Sequence, residues 1–352
     1  MTARRAVVGG GAWGTTLALR LAASGPVHLL VRDTATAVAL TAARENERHL
    51  PGFALPSEVE IGADPHALAA ADELVAVAIP SAAMRLEAAR WGPYLHPAAV
   101  LLSAAKGLEP GTLERMSEVL AEQVPAAVGR IAALSGPNLA LEIAAGLPAS
   151  AVVAAADETV ALRVVKVLGS RTFRLYTNRD VVGVELGGAL KNIVAIAAGA
   201  ADGLGFGDNA KASLITRGLA EITRLALAAG ANPLTLAGLA GVGDVMATCA
   251  SDLSRNHRLG VELANGRRWS EIEASLPGVA EGAYTVDAAL ALADRLGVEM
   301  PIAQEVHDAL FAGKDVQRCL ADLLARESKE ELAGLGEWVQ RRLSESAQGR
   351  AR

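Results

Sequence analysis

Residues 6–19 read Ala6-Val7-Val8-Gly9-Gly10-Gly11-Ala12-Trp13-Gly14-Thr15-Thr16-Leu17-Ala18-Leu19. A short apolar run ends in Gly9-x-Gly11-x-x-Gly14, and an Ala/Leu-rich helical pattern starts at once. Strand, tight turn, helix is the opening of a dinucleotide-binding βαβ unit. Gly9 allows the sharp turn, Gly11 lets the main chain approach a pyrophosphate, and Gly14 lets the helix pack close to the strand. The N–H groups and positive dipole end of the helix then face the phosphates. In a chain with 35 glycines the pattern alone is weak; its place at the N-terminus, after a strand and before a helix, gives it weight.

Outward from this unit, Val27 to Val31 is a second short apolar strand ending at Arg32-Asp33. An acidic residue there binds the ribose 2′-OH of NAD, whereas an Arg accommodates the 2′-phosphate of NADP. With Arg32 first, NADP(H) is favoured and NAD(H) stays open. Both charges also suit the start of the next helix, where Asp33 would make a good N-cap. Asn46 to Pro56 reads as a loop from its Pro/Gly content. Strands follow at Glu73 to Ile79, Ala98 to Ser103, Ile131 to Leu134, Ala149 to Ala154 and Thr172 to Tyr176, alternating with helical patterns. After Asn178 the strand signals stop, and from Val181 to about Leu343 the text is helices broken by Gly/Pro turns, Pro277-Gly278 among them. The expected fold is α/β: a Rossmann-type, doubly wound, mostly parallel sheet over residues 1–180 and an all-α domain over 181–352. Ser344 to Arg352 reads as a frayed polar tail.

At 352 residues the chain is long enough for two cores. A net charge of -6, pI about 5.6 and no basic run argue against nucleic acid, so an anionic substrate must be met by local positive charge. Two cysteines, Cys249 and Cys319, argue against a disulfide framework and fit a reducing cytoplasm. The first strand follows the N-terminus too closely for a signal peptide. The most apolar helical stretch, around Val184 to Ala201, is interrupted by Glu185 and Lys191 and does not read as a membrane span.

Lysine is scarce beside arginine, which makes each lysine worth weighing. Ser103-Ala104-Ala105-Lys106-Gly107-Leu108-Glu109 follows a strand end, the ligand-binding edge of an open α/β sheet. Lys106 there can meet an oxyanion or phosphate, or be a solvated loop residue. Lys191 interrupts the apolar, small-residue helix Glu185-Leu186-Gly187-Gly188-Ala189-Leu190-Lys191-Asn192. A desolvated lysine near a second cation suits acid–base work, although a lysine snorkelling at a domain interface gives the same text. Gly241-Val242-Gly243-Asp244 exposes a carboxylate at a turn, and Ser254-Arg255-Asn256 sets a guanidinium beside an amide, which suits a phosphate. Val279-Ala280-Glu281-Gly282 is a turn whose Glu281 faces either cofactor or solvent. No metal site is read.

In this order, Gly9 to Thr15, Ser103 to Glu109, Ser135-Gly136-Pro137, Glu185 to Asn192, Gly241 to Asp244 and Ser254 to Asn256 strongly resemble the bacterial-type NAD(P)-dependent sn-glycerol-3-phosphate dehydrogenases. The resemblance runs from the first strand to about Val306. It implies a cytoplasmic enzyme that reduces dihydroxyacetone phosphate to sn-glycerol 3-phosphate for phospholipid synthesis, with a homodimer as the expected assembly. Besides Gly9, Gly11 and Gly14, it assigns Ala12, Trp13, Arg32, His49, Lys106, Ala140, Arg255, Val279 and Glu281 to the cofactor. Lys106, Gly136, Asn138, Lys191, Asp244, Ser254, Arg255 and Asn256 fall at substrate positions, and Lys191 matches the catalytic proton donor/acceptor, with Asp244 and Lys106 beside it. Hydride would pass from the nicotinamide to the ketone carbon while Arg255 and Asn256 grip the phosphate. Two positions depart from the family: Asn138 stands where Ser or Thr is usual, and Ala105 replaces a common Thr. The alternatives are a related two-domain hydroxyacyl or hydroxyacid dehydrogenase, for which the Ser254-Arg255-Asn256 cluster makes less sense, and a non-catalytic dinucleotide sensor, which has no use for Lys106, Lys191 and Asp244 together.

Overall fold

The computed structural model describes residues 4–275 and 278–326, together with Gly336. Pro277 of the expected turn and the tail from Ser344 to Arg352 lie outside the described residues. Ten strands occur among the described residues: β1 Arg5–Val8, β2 Val27–Leu30, β3 Glu45–Asn46, β4 Leu50–Ala54, β5 Val59–Gly62, β6 Leu74–Val77, β7 Val100–Ser103, β8 Ile131–Ser135, β9 Ala149–Ala154 and β10 Phe173–Asn178. Eight form one sheet in the order β10-β9-β8-β7-β6-β1-β2-β5. All neighbours are parallel except β8 and β9, which run antiparallel. From β1 the chain winds out through β2 and β5, then returns to β6 on the other side of β1. That reversal is the topological switch point, where open α/β sheets bind ligands at the carboxyl ends of their strands.

The central strands are Val/Leu/Ala runs because helices cover both faces. β6 has all four residues at 0% exposure, and a fully buried Val or Leu is worth about 1.5–3 kcal/mol. The helices packed on the sheet are α1 Ala12–Ala22, α2 Thr34–Ala43, α3 Met84–Trp91, α4 Met116–Gln123, α5 Ala140–Ala144 and α6 Glu158–Leu168. Gly9 has φ +115°, and a Cβ on it would collide with the Ala78 carbonyl after β6. A Cβ on Gly14 would strike the Gly9 carbonyl, so α1 lies against the turn as its glycine spacing requires.

Two features correct the reading of 46–62. The stretch Asn46 to Pro56, expected to be a loop, forms the antiparallel ribbon β3–β4 with a register shift between Glu45 and Asn46. Pro51 is tolerated because this two-stranded ribbon has unpaired edges. β5 joins the sheet edge without an assigned signal, since four residues carry too little periodicity.

From Val181 onward the described residues are helical: α7 Val181–Gly203, α8 Gly207–Ala228, α9 Pro233–Leu236, a π-helical turn Leu239–Gly243, α10 Asp244–Ala250, α11 Arg255–Ala264, α12 Trp269–Ser275, α13 Glu281–Leu296, α14 Pro301–Phe311 and α15 Val316–Leu324. α7 is the axis, buried at every residue from Gly183 to Ala201. Two helical stretches, Val181–Gly203 and Pro233–Ala250, are long and apolar enough to cross a membrane, but 83% of the first one's apolar window lies inside the fold, as in a core helix. Small residues bring α7 close to its neighbours: a Cβ on Gly260 of α11 would strike the Ile196 carbonyl, and one on Gly199 the His257 carbonyl. Glu221, buried on α8, caps α14 by accepting from Ile302 N at 2.9 Å. Cys249 and Cys319 are both free and buried.

Candidate active site

Lys106, Gly136, Lys191 and Asp244 come from four separate stretches and meet at the carboxyl ends of β7 and β8. The turn after β7 supplies Lys106, the turn after β8 supplies Gly136, the buried face of α7 supplies Lys191, and the first residue of α10 supplies Asp244. Two adjacent glycines let α7 approach. A Cβ on Gly187 would strike the Ala240 carbonyl of the π-turn, and one on Gly188 would strike Ser135 Oγ, with Lys106 Cδ 3.7 Å away. Gly187 and Gly188, about 100° apart around the helix, are therefore packing requirements toward two different neighbours.

Asp244 is fully buried and bridges both lysines, with Oδ1 2.7 Å from Lys191 Nζ and Oδ2 2.5 Å from Lys106 Nζ. Lys191 also donates to Thr248 Oγ1, one turn along α10 from Asp244, and Lys106 donates to the Gly136 carbonyl at 3.0 Å. Each ammonium has three donors, so each keeps one N–H beyond these partners. Burial would raise the Asp244 carboxyl, but the two ammoniums outweigh it and hold the group below the usual carboxylate range. Burial brings Lys106 down to about 8, with Asp244 opposing and Lys191 reinforcing the fall. The arrangement holds two cations and one anion in a dry setting, a net positive centre suited to a developing oxyanion. Thr248 is a site residue that sequence reading missed; its signal is the i,i+4 spacing from Asp244 on one helix face.

A second group forms at the start of α11. Ser254 is its N-cap, accepting from His257 N at 3.2 Å, which leaves the hydroxyl proton to donate outward. Arg255 makes no ion pair among the described residues; burial lowers its pKa, against the opposing field of Glu281. Its guanidinium lies against Gly278, where φ is +91° and a Cβ would collide with it. Asn256 is more committed than expected. Its Nδ2 donates to Asn192 Oδ1 at 2.9 Å and its Oδ1 accepts from Gly282 N at 2.9 Å, bracing α7, α11 and α13 with one amide N–H to spare. Glu281 is pushed up to about 7 by burial, opposed by Arg255 and by Ser81, whose hydroxyl donates to it at 3.4 Å. Glu281 thus faces the interior, next to the turn after β6.

The residues assigned to a dinucleotide line the β1–α1 turn and its surroundings. A Cβ built on Gly11 meets nothing within 4 Å, so the turn leaves room for a ligand to approach its main chain. Glycine as the N-cap of α1 leaves its first N–H groups without a side-chain cap. Trp13 Nε1 is buried with no partner, and so are both amide atoms of Asn138. Ala140 opens α5 and its carbonyl accepts from Thr16 Oγ1 at 3.2 Å, tying α5 to α1. His49, on the β3–β4 turn, is lowered by burial, then by Arg48 and Arg255. Val279 is 36% exposed, ahead of α13. Asp33 does cap α2, accepting from Thr36 N at 2.8 Å, while the Arg32 side chain is 83% exposed. This donor set fits a dinucleotide: uncapped N–H groups, an approachable glycine, and an exposed guanidinium beyond β2 whose Nε donates to the neighbouring Asp33 at 3.3 Å.

The two halves are stapled by a buried carboxylate. Glu185 of α7 accepts from Ser117 N and Arg115 Nη1, both at 2.8 Å, and burial raises its pKa against those donors. No spacing in the sequence announced this brace.

Comparison with known proteins agrees with the geometry. The NAD-dependent glycerol-3-phosphate dehydrogenase N-terminus family matches residues 5–161, and the corresponding C-terminus family matches residues 180–321. A glycerol-3-phosphate dehydrogenase [NAD(P)+] of Streptomyces griseus is 47% identical over 329 residues, covering 93% of this chain and 98% of that protein. One from Moorella thermoacetica is 45% identical over 334 residues, covering 95% and 98%. The crystal structure of glycerol-3-phosphate dehydrogenase from Coxiella burnetii superposes with a TM-score of 0.87 at 36% identity, over 92% of this chain and 98% of that one.

Proposed function

This chain belongs to the NAD-dependent glycerol-3-phosphate dehydrogenase family and is an NAD(P)-dependent oxidoreductase; from that premise we propose that it reduces dihydroxyacetone phosphate to sn-glycerol 3-phosphate with Lys191 as the proton donor. The bridging of Lys106 and Lys191 by the buried Asp244 carries the reading. A dinucleotide, when bound, supplies the hydride. The chain's own residues do the rest. Lys191 gives its uncommitted proton to the alkoxide oxygen as charge develops there. Lys106 adds positive charge, and Asp244 keeps both ammoniums aligned and affordable in a dry site. Arg255, the Ser254 hydroxyl and the spare Asn256 N–H hold the substrate phosphate, so binding at a non-reacting group orients the ketone. The Asn138 amide contacts substrate from the β8 turn.

Residues 1–180 act as the dinucleotide domain and 181–352 as the substrate domain. Arg32, exposed and beyond β2, serves the 2′-phosphate of NADP, since Asp33 is occupied as a helix cap. Cytoplasmic location, homodimeric assembly and supply of glycerol phosphate for phospholipids are part of the same reading. An unpaired Arg255 favours a phosphorylated substrate over an acyl thioester. The test is the initial rate of dihydroxyacetone phosphate reduction with NADPH and NADH side by side. Lys191→Ala should lose at least about a hundredfold in turnover while still binding dinucleotide. Near-wild-type turnover in that variant would refute Lys191 as the proton donor, and faster low-concentration turnover with NADH would reassign Arg32.

A further inference from the structure

Asn46 stands out as a buried polar residue to which no role has been given. It lies at the bulge of the β3–β4 ribbon and is only 2% exposed. Its Nδ2 donates to the Gly10 carbonyl at 2.9 Å and to Thr15 Oγ1 at 2.7 Å, across 36 and 31 residues of sequence. Thr15 is itself fully buried in the first turn of α1, and its N–H donates to the Gly11 carbonyl at 2.9 Å. One amide group therefore grips both sides of the glycine-rich turn.

The peptide between Gly10 and Gly11 is planar and trans, as are all peptide bonds among the described residues. Its C=O and N–H consequently point in opposite directions. Fixing the Gly10 oxygen on Asn46 fixes the Gly11 N–H toward the opposite side, away from the Asn46 amide. A glycine triplet is otherwise the stretch of backbone most free to rotate its peptide planes. We infer that Asn46 is a positioning residue for dinucleotide binding: by holding the Gly10 carbonyl it locks the glycine-turn N–H groups in the orientation that receives a pyrophosphate.

The inference rests on the dinucleotide reading above, so its test measures binding in a way that separates the two. ADP-ribose carries the pyrophosphate without the reacting ring, and glycerol 3-phosphate probes the substrate site alone. Titration calorimetry of each ligand is run on wild type, Asn46→Ala and Thr15→Val. The expected result is about tenfold weaker ADP-ribose binding in Asn46→Ala, the size of one lost buried hydrogen bond, with glycerol 3-phosphate affinity unchanged. Thr15→Val keeps the β-branched shape and removes one anchor of the amide, and should weaken ADP-ribose by about threefold; it carries the test if Asn46→Ala does not fold. Equal weakening of both ligands would make Asn46 a general structural residue and overturn the inference. So would unchanged ADP-ribose binding in the variants. Failure of wild type to bind either ADP-ribose or its 2′-phosphate would instead remove the dinucleotide reading, and this inference with it.

Discussion

Replacing Asp244 with Asn should remove most activity at neutral pH and return part of it in mild acid. The carboxylate lies 2.5 Å from one ammonium and 2.7 Å from another, at 0% exposure. Asn keeps the volume but offers one acceptor, and its amide N–H groups face a lysine that can only donate. Removing one partner of a buried ion pair costs about 3–5 kcal/mol. Shared between two lysines, about 2 kcal/mol falls on Lys106, or roughly one to two pK units at ~1.36 kcal/mol each. Lys106 starts at about 8. Its proton would then leave between roughly pH 6 and 7. The ammonium, present below the pKa, is the form that serves an oxyanion, so the rate of ketone reduction falls as pH rises through that value. Wild type should show the falling limb of kcat/KM near pH 8, and Asp244→Asn near 6–7, by the shift just worked. At pH ~7.5 the variant should be down at least about a hundredfold, with partial recovery towards pH ~5.5. Initial rates at saturating reduced dinucleotide, on protein with a normal thermal melt, measure both. A variant whose limb stays where the wild type's lies would refute the claim that Asp244 sets the lysine charge.

Arg255→Ala should raise KM for dihydroxyacetone phosphate by about 10–100-fold, the size of a lost charge-assisted contact, with a smaller effect on kcat. An unchanged KM would take the phosphate away from Arg255. Glu221 gives a pH signature in stability. Burial lifts it from the ordinary 4.5 to about 7, so the folded state holds its proton more tightly than the unfolded chain does. Its contribution is complete below about pH 4.5 and is lost as pH rises to about 7, at most of order 3 kcal/mol. Glu221→Gln should flatten that slope in urea unfolding followed from pH 5 to 8; an unaltered slope would assign it elsewhere.

Much of this site was legible in the sequence, and the reasons differ by residue. Lys106 stands out by the strand end it follows and the scarcity of lysine, Lys191 by interrupting an apolar helix, and Asp244 by its glycine-rich turn. The resemblance then supplied their common purpose. Thr248 carries a readable i,i+4 signal, whereas Asn46 carries none: an Asn in a Pro/Gly-containing segment reads as a turn former. The same Pro/Gly content hid the β3–β4 ribbon, because strand signals assume alternation over more residues than this ribbon has.

The sequence by itself determined the class of fold, the strand-to-helix change after Asn178, and the glycine turn, because periodicity and glycine chemistry act over a few adjacent residues. Its ordered set of short motifs also carries the family resemblance, and that resemblance implies the reaction. Only the tertiary structure decided how the charges pair: that one carboxylate serves two lysines 138 and 53 residues away, that Asp33 is spent on a helix cap, and that Asn256 braces three helices. It alone brought Asn46 onto the Gly10 carbonyl and Glu185 onto Arg115. Pairings of this kind depend on distances between elements far apart in the chain. Those distances are set by how closely helices and sheet pack, which no local pattern encodes.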